Sequence, residues 1–129
     1  MFTKENCPHW IDAAKANELL SKHKQLDLCE IDSLLQPGKK FQFFITPPTD
    51  TAMSASMRYI SNMKDNANDI PKYQETLYSF CFVTGETGLM REREDESLKA
   101  RIVSSIGSAI GAAYPMPEVG EVKKSFRAQ

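Results

Sequence analysis

The sequence predicts a mainly α, or α+β, domain of about four helices with one small two-stranded β element and a mobile C-terminal tail. Three patterns predict it. Leu98, Ile102, Ile106, Ile110 and Tyr114 recur at strict i+4 spacing, which places them on one helix face. Met53, Met57, Ile60 and Met63 form a second helical stripe. Lys39–Ile45 is aromatic and β-branched and lies between Pro37-Gly38 and Pro47-Pro48, which is how a strand reads. A length of 129 residues suits one domain. We assign it to residues 1–114, with 115–129 as an extended tail. With 41% hydrophobic and 26% charged residues the chain reads as folded.

Taken in order, Pro8 opens a helix at about 8–25, whose apolar positions are Trp10, Ala13, Ala14, Leu19 and Leu20. Leu26–Leu35 is ambiguous. Leu26 and Leu28 alternate, whereas Asp27 suits the cap of a short helix holding Ile31, Leu34 and Leu35. The Lys39–Ile45 strand needs a partner for its backbone groups, and Leu28–Ile31 and Leu89–Met90 are the candidates. Thr49-Asp50 caps the methionine helix, over about 50–64. Asp69 and Pro71 start another over about 70–84, with Tyr73, Leu77, Phe80 and Cys81 facing inward and Gly85 as its C-terminal cap; the run Ser79–Thr84 competes for strand. Arg91–Glu96 is a charge run, read as solvated surface and the first turn of the last helix, which Pro115 stops. The expected core is Trp10, Leu19, Leu20, Phe43, Ile45, Met57, Ile60, Tyr73, Leu77, Phe80, Leu98, Ile102, Ile106 and Ile110.

Local motifs for chemistry are weak. Cys7, His9, His23, Cys29 and Cys81 lack the paired spacing of a zinc site, so no metal or cofactor is expected. No glycine elbow surrounds a cysteine, and Gly85–Gly88 has no lysine where a phosphate loop needs one, so no catalytic residue is assigned. Gly107 and Gly111 are spaced for close helix packing. A net charge of −1 and scattered lysines argue against nucleic acid as a partner. No apolar run reaches membrane-span length, and an odd cysteine count of 3 suits a reducing compartment, so a cytoplasmic location is expected.

What remains is protein binding. Met53 and Met63 are adaptable apolar residues, and Phe41, Phe43 and Phe44 cannot all fit one face of a strand. Arg91 and Arg93 offer charge, and Val119 and Phe126 lie in the tail. Phe41, Phe44, Met53, Met63, Arg91, Arg93, Val119 and Phe126 are therefore the candidate docking residues, for another protein or a second copy of this chain.

The order from the basic-led strand Lys39–Ile45, through Thr49-Asp50 and its helix, to Val83-Thr84-Gly85-Glu86-Thr87-Gly88, the charged run and the last helix resembles the tail assembly chaperones of tailed bacteriophages. The resemblance spans about residues 38–114 and is one of element order. It implies a non-catalytic adaptor that shields a long tape-measure protein and recruits tail subunits. The alternative from the residues is a small inhibitor or immunity protein that blocks a toxin or defence enzyme through the Arg91–Glu96 run.

Overall fold

The computed structural model describes residues 1–62, 69–114 and 124–127. Its elements run α1 (Ala13–His23), β1 (Gln25–Asp32), β2 (Lys40–Ile45), α2 (Asp50–Asn62), α3 (Asp69–Cys81), β3 (Phe82–Gly85), α4 (Thr87–Glu94), α5 (Lys99–Ala113) and β4 (Lys124–Arg127). The fold is α+β. Its sheet is antiparallel with strand order β3-β2-β1-β4, where the sequence suggests a single strand pair.

The ambiguous segment Leu26–Leu35 resolves as strand for most of its length. Leu28 stands opposite Phe44, Cys29 opposite Phe43 and Ile31 opposite Phe41. Strand wins because it pairs the Lys40–Ile45 backbone while putting Leu26 and Leu28 on one face and Cys29 and Ile31 on the other. The competing strand signal at Ser79–Thr84 also prevails in part. The helix ends at Cys81, and Phe82–Gly85 pairs with β2, with a shift in register between Phe44 and Ile45. Gly85 is thus a strand residue and not a helix cap. A side chain there would press on Leu89 and on Phe43 Cβ, at 2.9 and 3.0 Å.

Both faces of the sheet are covered. Phe41, Phe43, Ile45 and Cys29 pack beneath α3, α4 and α5, against Leu77, Cys81, Leu89, Ile102, Ile106 and Ile110. Phe44, Leu26 and Leu28 pack beneath α1, against Ala16, Leu20, Phe2 and Phe126. Phe41 and Phe44, expected to reach a partner, are therefore interior residues of opposite faces. Phe126 is interior as well. Leu26 is its cross-strand neighbour, and its ring lies 4.2 Å from that of Phe2. Lys124–Arg127 belongs to the sheet, in a region the sequence reads as tail.

The first helix starts later than Pro8. Asp12 caps it, accepting a hydrogen bond from the Ala14 N–H at 3.4 Å, and Lys24 closes it in the left-handed conformation. The preceding segment is tied down by Asn17, whose side chain accepts from the Phe2 N–H at 2.7 Å and donates to the Phe2 carbonyl at 3.0 Å. Thr49 caps α2 as its sequence position suggests, through the Ala52 N–H at 3.1 Å. The charge run ends α4 and begins the turn after it, and is not the first turn of the last helix. Asp95 builds the corner into α5, accepting from Ser97 N–H and Oγ–H, and those bonds hold its carboxyl below the usual range. The i+4 face of α5 is buried as expected from Leu98 to Ile110. Gly107 and Gly111 serve packing within the chain: Gly107 lies on the Gln74 backbone and Gly111 against Tyr73 and Leu77 of α3. Phe80, expected in the core, is exposed. The side chains of Met57 and Ile60 lie outside the described residues. No helix among the described residues is long and apolar enough to cross a membrane.

Candidate protein-docking surfaces

The buried acids Asp27 and Glu92 are hydrogen-bonded, and the thiols of Cys29 and Cys81 are buried in the core. Asp27, fully buried on β1, accepts a hydrogen bond from the Tyr114 hydroxyl and two at 3.0 Å from Gln25 Nε2. Burial, then this bond, raises the Tyr114 hydroxyl pKa above its ordinary value. Tyr114 ends the i+4 face of α5, so Asp27 fastens the end of that helix to the sheet. Cys29 and Cys81 are buried thiols, and desolvation pushes both up to about 12. Burial followed by the Asp12 charge raises Cys7 as well. At neutral pH these sulfurs are protonated and weakly nucleophilic. No three His, Cys, Asp or Glu side chains gather among the described residues to hold a metal.

Glu92 is the second buried acid, 4% exposed. Gly88 lets α4 approach the Phe41 ring, where a side chain would come within 2.6 Å. One turn later the Glu92 carboxylate reaches the β1–β2 connection. It accepts from Ser33 Oγ–H at 2.6 Å and from the Leu34 N–H at 3.1 Å. Ser33 Oγ in turn accepts from the Leu35 and Gln36 N–H groups at 3.2 and 3.0 Å. The loop closes with Ser33 N–H on the Lys39 carbonyl at 2.8 Å and Lys39 N–H on the Gln36 carbonyl at 3.1 Å. Gly38 supplies the left-handed turn at φ +81°. Glu92 is thus buried, where the charge run Arg91–Glu96 by itself predicts solvated surface. Its one signal is a carboxylate four residues after Gly88 on the same helix face.

Of the other candidate docking residues, Arg91 is exposed and Met53 half-buried on α2. Arg93 is occupied within the fold, donating to the Tyr78 hydroxyl at 3.0 Å and lying over the Phe82 ring. Met63 and Val119 lie outside the described residues. Among the described candidates, Arg91 and Arg93 share α4, Phe41 and Phe44 share β2 on opposite faces, and Phe44 and Phe126 meet inside the core.

A different apolar surface stands out. Phe80 is 48% exposed. With Tyr59 of α2 and Lys72, Glu75, Thr76 and Ser79 of α3 it lines an open cleft of about 420 Å³. Phe80 escapes the core because Leu77 and Cys81 already occupy the α3 face turned to the sheet. Comparison of the chain with protein-family models, with curated proteins and with solved structures finds no match.

Proposed function

We propose that this chain is a non-enzymatic protein-binding module of the chaperone or adaptor kind, which takes an apolar helical segment of its partner against the α2–α3 pair. The observation that carries the reading is Phe80, a large aromatic side chain nearly half exposed beside Tyr59 in the α2–α3 cleft. A hydrophobic side chain in a cleft rimmed by Lys72, Glu75 and Ser79 has the make-up of an interface anchor within a polar rim. The non-enzymatic part is supported by the hydrogen bonds that occupy Asp27 and Glu92 and by the burial that keeps the Cys29 and Cys81 thiols protonated. The partner class, a long helical protein of the tape-measure type, is what the sequence resemblance to bacteriophage tail assembly chaperones implies.

Affinity capture from the native host tests this, with wild-type chain and Phe80→Asp side by side. The expected result is a long, helix-rich partner that is retained by wild type and lost by the variant at unchanged thermal midpoint. Equal retention by both forms sinks the cleft as the docking site. Capture of a toxin or nuclease enzyme would replace the adaptor reading with the inhibitor one.

A further inference from the structure

We infer that β1 carries a strand-acceptor site that the β4 strand of a second copy of this chain fills, so that two copies exchange their last strands. The site lies on the α1 face of the sheet. Its floor is Phe2, Ala16, Leu20, Leu26, Leu28 and Phe44, all of which precede Ile45 in the chain. Among the buried residues of this cluster Phe126 alone arrives from beyond them, its ring centroid 4.2 Å from that of Phe2 and 6.3 Å from that of Phe44. One stretch of chain therefore builds the site and a distant one plugs it. The plug shows what fits: an extended segment with an aromatic side chain opposite Leu26.

The joint is small. β4 pairs with Gln25–Leu28, half of β1, whereas β2 pairs with Asp27–Asp32. Short peripheral elements open at lower free energy than central strands. Opening bares the β1 edge, whose backbone groups need a strand, and the gap between Phe2 and Phe44, which needs an aromatic ring. A second copy supplies both in the same register. Each copy then gives what the other lacks, so the exchange is reciprocal and closes as a two-fold dimer. The β1–β4 contacts are identical in the closed chain and in the exchanged pair. Concentration and the connection to β4 therefore decide between them.

That connection starts and ends at one residue. The Tyr114 hydroxyl donates to Asp27, and Ser125 stands opposite Asp27 in the strand register. A chain that pairs with its own β4 must therefore return to the point it left. Residues 115–123 are long enough to span about 30 Å when extended. Pro115 and Pro117 bring a sequence preference for extended backbone at the start, which favours reaching outward over turning back.

The register supplies the test. Gln25 and Arg127 are Cα partners across β1 and β4, so cysteines at these positions can be bridged. Two full-length variants, Gln25→Cys and Arg127→Cys, each also carry Cys7→Ala to remove the half-buried native thiol. They are mixed at micromolar and at millimolar concentration, oxidised, unfolded and sized without reductant. Neither variant can bridge β1 to its own β4, so a covalent heterodimer reports exchange between copies. It is expected from the concentrated mixture and not from either variant alone. Absence of the heterodimer at millimolar concentration overturns the inference, and so does a wild-type chain that light scattering finds monomeric there. Phe80→Asp should leave the dimer intact, so failure of the strand exchange and failure of the α2–α3 cleft read separately.

Discussion

The two faces of the sheet are built on different principles. Beneath α3, α4 and α5 the helices supply an aliphatic row in regular order: Leu98, Ile102, Ile106 and Ile110 repeat every turn and meet Phe41, Phe43 and Ile45. Beneath α1 the core is aromatic and comes from separated pieces of chain. Phe44 sits 5.5 Å from Phe2 and 6.3 Å from Phe126, and Trp10 lies 5.1 Å from Phe44 while donating to Gln42 at 3.0 Å. Thus the first face is closed by α3, α4 and the periodic row of α5, and the second by α1 together with the N-terminal segment and a late strand. A helix carries its burial pattern in its own sequence. A face assembled from isolated residues has no local period to read.

The largest expected effect breaks the periodic face. Gly107 lies directly on the Gln74 backbone of α3, so Gly107→Val should push α3 off α5 and cost on the order of 4 kcal/mol or more. Gly111→Ala, whose added carbon meets the Tyr73 hydroxyl at 3.3 Å, should cost far less. Urea unfolding of both variants checks the contrast, and equal midpoints would show that the helix pair is not closely packed.

The next test sharpens the comparison by removing one side chain from each face. Ile106→Ala should cost about 2–5 kcal/mol, as a mid-core truncation does. Phe126→Ala should cost about 3 kcal/mol, since it opens the aromatic cluster between Phe2 and Phe44. The sequence alone puts Phe126 in a mobile tail, where its truncation would cost little. A Phe126→Ala midpoint within error of wild type would return β4 to the status of a loose tail.

A smaller effect separates the faces by pH. Cys29 and Cys81 both belong to the α3–α5 face and ionise at about 12 in the folded chain, against an ordinary thiol near 9. Above pH 9 the unfolded chain releases these protons while the folded chain keeps them. Stability should therefore be unaffected by the thiols below about pH 8 and fall as the pH rises from about 9 towards 12. Cys29→Ala/Cys81→Ala should flatten that fall. An identical alkaline slope in the double variant would show that other groups, such as Tyr114, set it.

Much of the layout was legible in the residues themselves. The i+4 row of α5, the Thr49 cap, the Pro-bounded strand Lys40–Ile45 and the small-residue spacing at Gly107 and Gly111 are local patterns, and each reappears in the structure. Two strands could not be read so. Leu26–Asp32 became strand because Phe41–Ile45 needed a pairing partner, and Phe82–Gly85 because β2 had a second free edge. The candidate surfaces followed the same divide. Phe41, Phe44 and Phe126 look like surplus aromatics in a linear chain, and only a sheet covered on both sides makes them interior. Glu92 looks like one charge among six until α4 lies across Phe41 and brings its carboxylate to Ser33. Sequence determines which residues repeat, cap and break, because those effects act within a turn or two of chain. Which face a strand shows, which aromatic stays outside and which acid is buried depend on elements far apart in sequence, and tertiary packing alone decides them.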